Sequence, residues 1–180
     1  MPRYAAFLRG VNLGSRRRAG SAELRSCFER AGLDSVETFR ASGNVVFDAG
    51  RESRAALTGR VERGLAEDFG FDVTVFLRTG REMERIATSQ PFPAKLATAS
   101  KGKLQVAMLP GKPSASARKQ AMGLATGEDR VAFGDRELYW LPSGGTRDSA
   151  LDLGALEKLV GPWTMRTKGT IELLWVKYFN

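Results

Sequence analysis

Within residues 5–47 the chain reads AFLRGVNLGSRRRAGSAEL (6–24) and, after a helical stretch, FRASGNVVF (39–47). The apolar run YAAFLR (4–9) predicts a short buried strand. It feeds a loop bracketed by Gly10 and Gly14 and carrying Arg16, Arg17 and Arg18. A helix is expected over 21–31, because Leu24, Cys27, Phe28 and Ala31 fall at i, i+3, i+4 and i+7 on one face. Ser21 is its expected N-cap. Leu24 rather than Glu follows at the third position, so no capping box is expected. Gly32 is placed to end the helix. Residues 36–41 and 44–48 read as the two strands of a hairpin, with Gly43 and Asn44 at its tight turn.

Downstream, Leu57, Val61, Leu65 and Phe69 form a stripe on a helix over 52–69, suited to packing on a sheet. Residues 71–78 (FDVTVFLR) alternate and are β-branched, as strands are. The first 78 residues thus run β-α-β-β-α-β, the order of a ferredoxin-like unit. A short helix over 80–89 is closed by Pro91 and Pro93. The small, basic run 94–102 reads as a linker. A strand over 103–109 and a helix from Pro113 to Leu124 follow. DRVAFG and ELYWLP make a hairpin around Gly134 and Asp135, and 143–149 is a loop. Leu153, Leu156 and Val160 mark a further helix, and 170–178 reads as a final one. The second half is then β-α-β-β-α followed by a helix where symmetry wants a strand. The expected fold class is α+β, with two ferredoxin-like halves built on antiparallel sheets, the second less regular. The divisions fall at 1–79, 80–102 (helix and linker) and 103–180.

Composition narrows the chemistry. There is no histidine, which removes the commonest general base and metal ligand. One cysteine permits neither an intrachain disulfide nor a Cys-rich zinc site. No clustered carboxylate motif announces a metal, and no cofactor is expected. The net charge is +8. That favours anionic partners, whether nucleic acid or a phosphorylated small molecule. The charge is spread, with 15 basic and 12 acidic groups in residues 1–90 and 13 and 8 in residues 91–180. Arginine outnumbers lysine 20 to 8, which also fits a whole-proteome bias. No stretch approaches membrane-spanning length, so no membrane partner is expected. The N-terminus lacks the order of a secretory signal, which makes the cytoplasm the expected location.

The ordered set LRGVNLGSRRRAGSAEL, FRASGNVVF, Gln90-Pro91-Phe92-Pro93, Gly134-Asp135-Arg136-Glu137-Leu138-Tyr139, Leu156-Glu157-Lys158-Leu159 and Thr164-Met165-Arg166 resembles the uncharacterised bacterial family DUF1697. The likeness runs over essentially the whole chain. It implies two ferredoxin-like subunits and no established activity. One departure stands out. Where the family pattern has Asn-Trp-Asn between the C-terminal Arg and Thr, this chain has Thr167-Lys168-Gly169 between Arg166 and Thr170.

The candidate site is an anion-binding one. Gly10, Asn12 and Gly14 shape the loop, and glycines there let backbone N–H groups approach a phosphate. The helix N-terminus beyond adds a favourable field. Arg16, Arg17 and Arg18 match phosphate oxygens bidentately. Arg9, Arg40 and Arg166 extend the basic surface, and Ser42 and Asn44 lie at the hairpin turn. Each also has a bland reading as a turn, edge or ion-pair residue. Ser42 lacks a visible base and is discounted as a nucleophile. Cys27, between Leu24 and Phe28, reads as a core thiol. Tyr139, Trp140 and Trp175 suit either base stacking or core packing, with packing favoured for Trp140. Three function classes follow. The leading one is a binding module for a nucleotide, RNA or phosphorylated metabolite. The others are a histidine-free enzyme on a small anion and an oligomerising interaction domain.

Overall fold

The structure is a computed structural model that describes residues 1–12, 17–40, 43–100, 102–125, 127, 129–147 and 149–180. Its elements are β1 (Arg3–Arg9), α1 (Ser21–Arg30), β2 (Asp34–Thr38), β3 (Asn44–Asp48), α2 (Arg54–Phe69), β4 (Thr74–Thr79), α3 (Gly80–Thr88), α4 (Ala94–Ala99), β5 (Gln105–Met108), α5 (Ala115–Gly123), β6 (Arg130–Phe133), β7 (Glu137–Leu141), α6 (Leu153–Val160), β8 (Thr164–Thr167) and α7 (Lys168–Tyr178). They fall into two compact units, Met1–Arg85 with Leu174–Asn180, and Ile86–Leu173.

The first unit is a four-stranded sheet in the order β2-β3-β1-β4, every neighbouring pair antiparallel. β1 and β2 therefore run parallel with β3 between them, and β3 and β4 do so around β1. This is the split β-α-β arrangement of a ferredoxin-like fold. Strand alternation sends Ala6, Leu8, Val45, Phe47, Val75 and Leu77 to one face. Leu24, Cys27 and Phe28 of α1 and Leu57, Val61 and Leu65 of α2 bury against that face. The Phe28 ring meets Phe47 edge-on at 5.4 Å. Ala5, Phe7 and Val46, with the opposite parity, are buried as well. β1 is thus covered on both sides, which is why it reads as an unbroken apolar run rather than an alternating one.

The element ends correct three sequence expectations. Gly20, not Ser21, caps α1, and Glu23 at the third position accepts the Gly20 N–H at 2.8 Å. Gly20 has no side chain, so only the return half of a capping box forms. The β2–β3 connection is longer than a tight turn. Phe39 N–H donates to the Asn44 carbonyl at 2.9 Å, and Asn44 is already the first residue of β3. Residues 94–102, read as a linker, contain the six-residue helix α4.

The second unit repeats the topology as β6-β7-β5-β8, again antiparallel throughout. It is more regular than the sequence suggests, because β8 supplies the strand that symmetry requires. Thr164–Thr167 is four residues long and without apolar alternation, and α7 begins at the next residue. Ser114 caps α5 by accepting the Ala117 N–H at 3.1 Å, which puts Pro113 just before the cap. Ala107, Leu109, Val131, Leu138 and Trp140 form the sheet side of the core, with Leu156 and Val160 of α6 on the helix side. Asp129 is buried among them. It accepts the Trp140 indole N–H at 3.0 Å and the Ser143 N–H at 3.1 Å. Burial pushes this carboxyl up, but hydrogen bonds from Trp140, Ser149 and Ser143 outweigh it and hold the group below the ordinary carboxylate value.

Candidate functional site

β1 leaves its sheet at Arg9. Gly10 (φ +91°) and Asn12 (φ +57°) then turn the chain through left-handed conformations. Asn12 closes the loop twice. Its N–H donates to the Arg17 carbonyl at 2.5 Å, and its side-chain oxygen accepts the Ala19 N–H at 3.1 Å. The β2–β3 connection packs beside it. Leu8 N–H donates to the Gly43 carbonyl at 2.8 Å, and a Cβ on Gly43 would lie 2.7 Å from Val11 Cγ2. Glycine at 43 is required by this approach and by its φ of +69°. The packing brings Arg9, Gly10, Asn12, Arg17, Arg18, Arg40 and Asn44 to one end of the first unit's sheet. Gly14, Arg16 and Ser42 lie outside the described residues. Arg166 belongs to the second unit.

These residues divide by what their side chains already do. Arg17, Arg18 and Arg40 are exposed and Arg9 is half-buried. The Arg17 guanidinium lies over the Phe71 ring at 5.5 Å. Asn44 is buried, and its amide donates to the Phe39 carbonyl at 3.0 Å, so it holds the connection rather than facing solvent. Asn12 spends its oxygen on the loop. The Glu23 carboxylate sits at the α1 N-terminus, where it takes up the favourable field and opposes an incoming anion. An anion arriving at this end would therefore meet the guanidinium groups rather than an open helix N-terminus.

The structure adds a cluster to this end that the sequence left unassigned. Arg40 lies over the Phe39 ring at 5.3 Å. Lys177 Nζ lies 6.0 Å from the same ring centre and 4.9 Å from that of Tyr178. The two rings meet edge-on at 6.1 Å. Arg3, at the opposite end of β1 from Arg9, holds the end of α7 by donating to the Tyr178 carbonyl at 3.3 Å. Arg3 also pairs with Asp48 through two hydrogen bonds of 2.9 and 3.0 Å, which raise its own pKa and lower that of Asp48. The sequence signal was the Lys-Tyr-Phe run at the C-terminus. Tyr178 falls at helical spacing with Ile171, Leu174 and Trp175, so from sequence alone it reads as one residue of an apolar stripe.

Other candidates resolve as structural. Trp140 and Tyr139 are buried, with 1% and 4% exposure, and present no ring face. Cys27 lies in the α1–α2 contact. Burial, reinforced by Asp68, pushes its thiol up to about 12, which keeps it protonated and unreactive at neutral pH. The open groove above it carries Arg30, paired with Asp68 at 2.5 Å, and Arg60, paired with Glu52. Burial lowers Arg166 to about 10, and it stays charged at neutral pH. Its Nη1 donates to Thr164 Oγ1 at 2.8 Å and to the Met165 carbonyl at 2.7 Å. The departing run serves helix ends. Thr167 Oγ1 accepts the Thr170 N–H at 3.2 Å, and Lys168 Nζ donates to the Ala87 carbonyl near the end of α3 at 2.6 Å and to Glu172 at 2.7 Å. Among the described residues no group of three His, Cys, Asp or Glu side chains stands close enough to hold a metal.

A family model described as a protein of unknown function, DUF1697, matches residues 1–139. The match ends inside β7, short of the C-terminal motifs at 156–159 and 164–166. No curated protein matches the chain. The solved structure of a conserved bacterial protein from Streptococcus pneumoniae superposes with a TM-score of 0.71, covering 97% of each chain at 21% identity. At that identity the likeness is one of fold.

Proposed function

The chain belongs to the DUF1697 family, and on that premise we propose that it is a cytoplasmic binding module for an anionic ligand (a nucleotide, RNA or a phosphorylated metabolite) held at the loop that follows β1. The observation that carries the reading is the gathering of Arg9, Arg17, Arg18 and Arg40 at one end of the first sheet. Gly10 carries no side chain there, and the Arg17 guanidinium lies against it, 3.5 Å from where a Cβ would stand. Asp72 and Glu23 are the acids among the described residues of the adjoining loops and the first turn of α1, so positive charge dominates. Guanidinium groups at close range suit phosphate oxygens by geometry as well as charge. No described helix is long and apolar enough to cross a membrane.

The test is fluorescence anisotropy with short single-stranded RNA, single-stranded DNA and duplex DNA over a salt series. The wild type is compared with an Arg17→Ala/Arg18→Ala variant. The reading predicts binding that weakens with salt, and a variant whose log–log salt slope is shallower by about 0.7 for each lost single-strand phosphate contact. Binding indifferent to both salt and the substitutions would contradict it.

A further inference from the structure

We infer that the ligand held at this end of the first unit carries an aromatic base beside its phosphate, and that Phe39, with Tyr178 edge-on behind it, is the surface on which the base stacks. The inference rests on the anion reading above and adds the chemical class of ligand.

Four observations carry it. Phe39 leaves β2 at the same connection that bears Arg40, so a ring and a cation are adjacent on the rim of the basic end. The ring is half-buried, unlike the core aromatics Phe7, Phe28 and Phe47, whose exposure is zero. Two long cationic side chains, Arg40 and Lys177, already lie over it, and both are themselves exposed. The Tyr178 hydroxyl is buried and has no hydrogen-bond partner among the described residues. A phenol in that condition is rare in a native fold, since an unmade bond costs more than a made one gains.

Together these make a cation–aromatic surface. An aromatic base is flat, as the ring is, and stacks on either a phenyl face or a guanidinium plane. A base arriving at Phe39 replaces the exposed cation over the ring. Lys177, displaced from the ring in this way, then meets the phosphate attached to the same base. Inorganic phosphate or a sugar phosphate lacks the flat face and gains nothing from Phe39. A free nucleotide and a single strand share the recognised unit, and titration of each separates the two sources.

The experiment compares a single-stranded RNA, AMP and ADP against a linear polyphosphate of matched charge. Each is titrated into the wild type, Phe39→Ala, Phe39→Leu and Phe39→Tyr, with circular dichroism to check that every variant folds. Expected is tighter binding of the base-bearing ligands than of polyphosphate. Phe39→Leu, which keeps apolar bulk, should lose about five- to one-hundred-fold in affinity for them with an unchanged salt slope, and Phe39→Tyr should restore it. Polyphosphate binding should not respond to Phe39. Equal binding of polyphosphate and RNA, both weakened by Arg17→Ala/Arg18→Ala and neither by Phe39→Leu, overturns this inference and leaves the anion site standing. Binding of neither ligand overturns both.

Discussion

Asn12 and Asn44 show how one residue type is spent at this site. Both were legible as loop residues of an anion site. Both instead use their amides on backbone groups, at Ala19 and Phe39. The sequence places an asparagine in a loop but does not say which backbone group will claim it. Gly43 was the more legible residue, because a glycine between two strands signals positive φ. Gly43→Ala forces a Cβ against Val11 and Leu8 at an unfavourable φ. It should cost about 1–3 kcal/mol in urea unfolding, through strain and overpacking. Asp129 offers a second check. Its folded pKa lies below the unfolded value, so its stabilisation is complete above the ordinary carboxylate range and is lost as pH falls through the folded value. Asp129→Ala leaves the Trp140 and Ser143 donors short of a buried acceptor. Melting at pH 7 should show a loss of about 1–3 kcal/mol for each group stranded, and the gap from wild type should narrow in strong acid. Cys27 should resist iodoacetamide at pH 8 in the native state and react at once in denaturant. Rapid native labelling would contradict the buried, protonated thiol.

Among the elements, those with a full stripe were legible and those without were not. Leu57, Val61 and Leu65 announced α2 because a helix on a sheet needs a continuous apolar line. β8 left no such line. Its four residues alternate little, and the chain turns helical at once. α1 starts at Ser21 as expected, but its cap falls one residue earlier, although Ser21 is the better cap by side chain. The chain takes Gly20 and lets Glu23 reach back to it. Lys168 is the element-scale counterpart at the C-terminus. Its ammonium meets the Ala87 carbonyl near the end of α3 and the Glu172 carboxylate on α7. Lys168→Met should cost about 1–3 kcal/mol in chemical unfolding, because a buried carbonyl loses its donor. An unchanged midpoint would mean that another group satisfies that carbonyl. The Thr167-Lys168-Gly169 departure from the family pattern thus has a structural use at two helix ends.

At the scale of the chain, the β-α-β-β-α-β order determined the topology of the first unit, and the second followed once β8 was counted. Split β-α-β connections have few solutions, so element order carries much of the fold. Function is different. Net charge raised only the expectation of an anionic partner, and the coming together of the β1 loop and the β2–β3 connection depends on contacts between Leu8, Val11 and Gly43 that no local pattern encodes. The Phe39–Tyr178 cluster was still less visible, since its parts lie at opposite ends of the sequence. The most direct test of the proposed anion site is amide chemical-shift mapping of the isotope-labelled protein titrated with a short single-stranded RNA. The account predicts that the largest shifts fall on Arg9, Gly10, Arg17, Arg18, Arg40 and Gly43 and that added salt reverses them. Shifts centred on the second unit, or no shifts at a concentration where duplex and single strand alike should bind a basic protein, would contradict it.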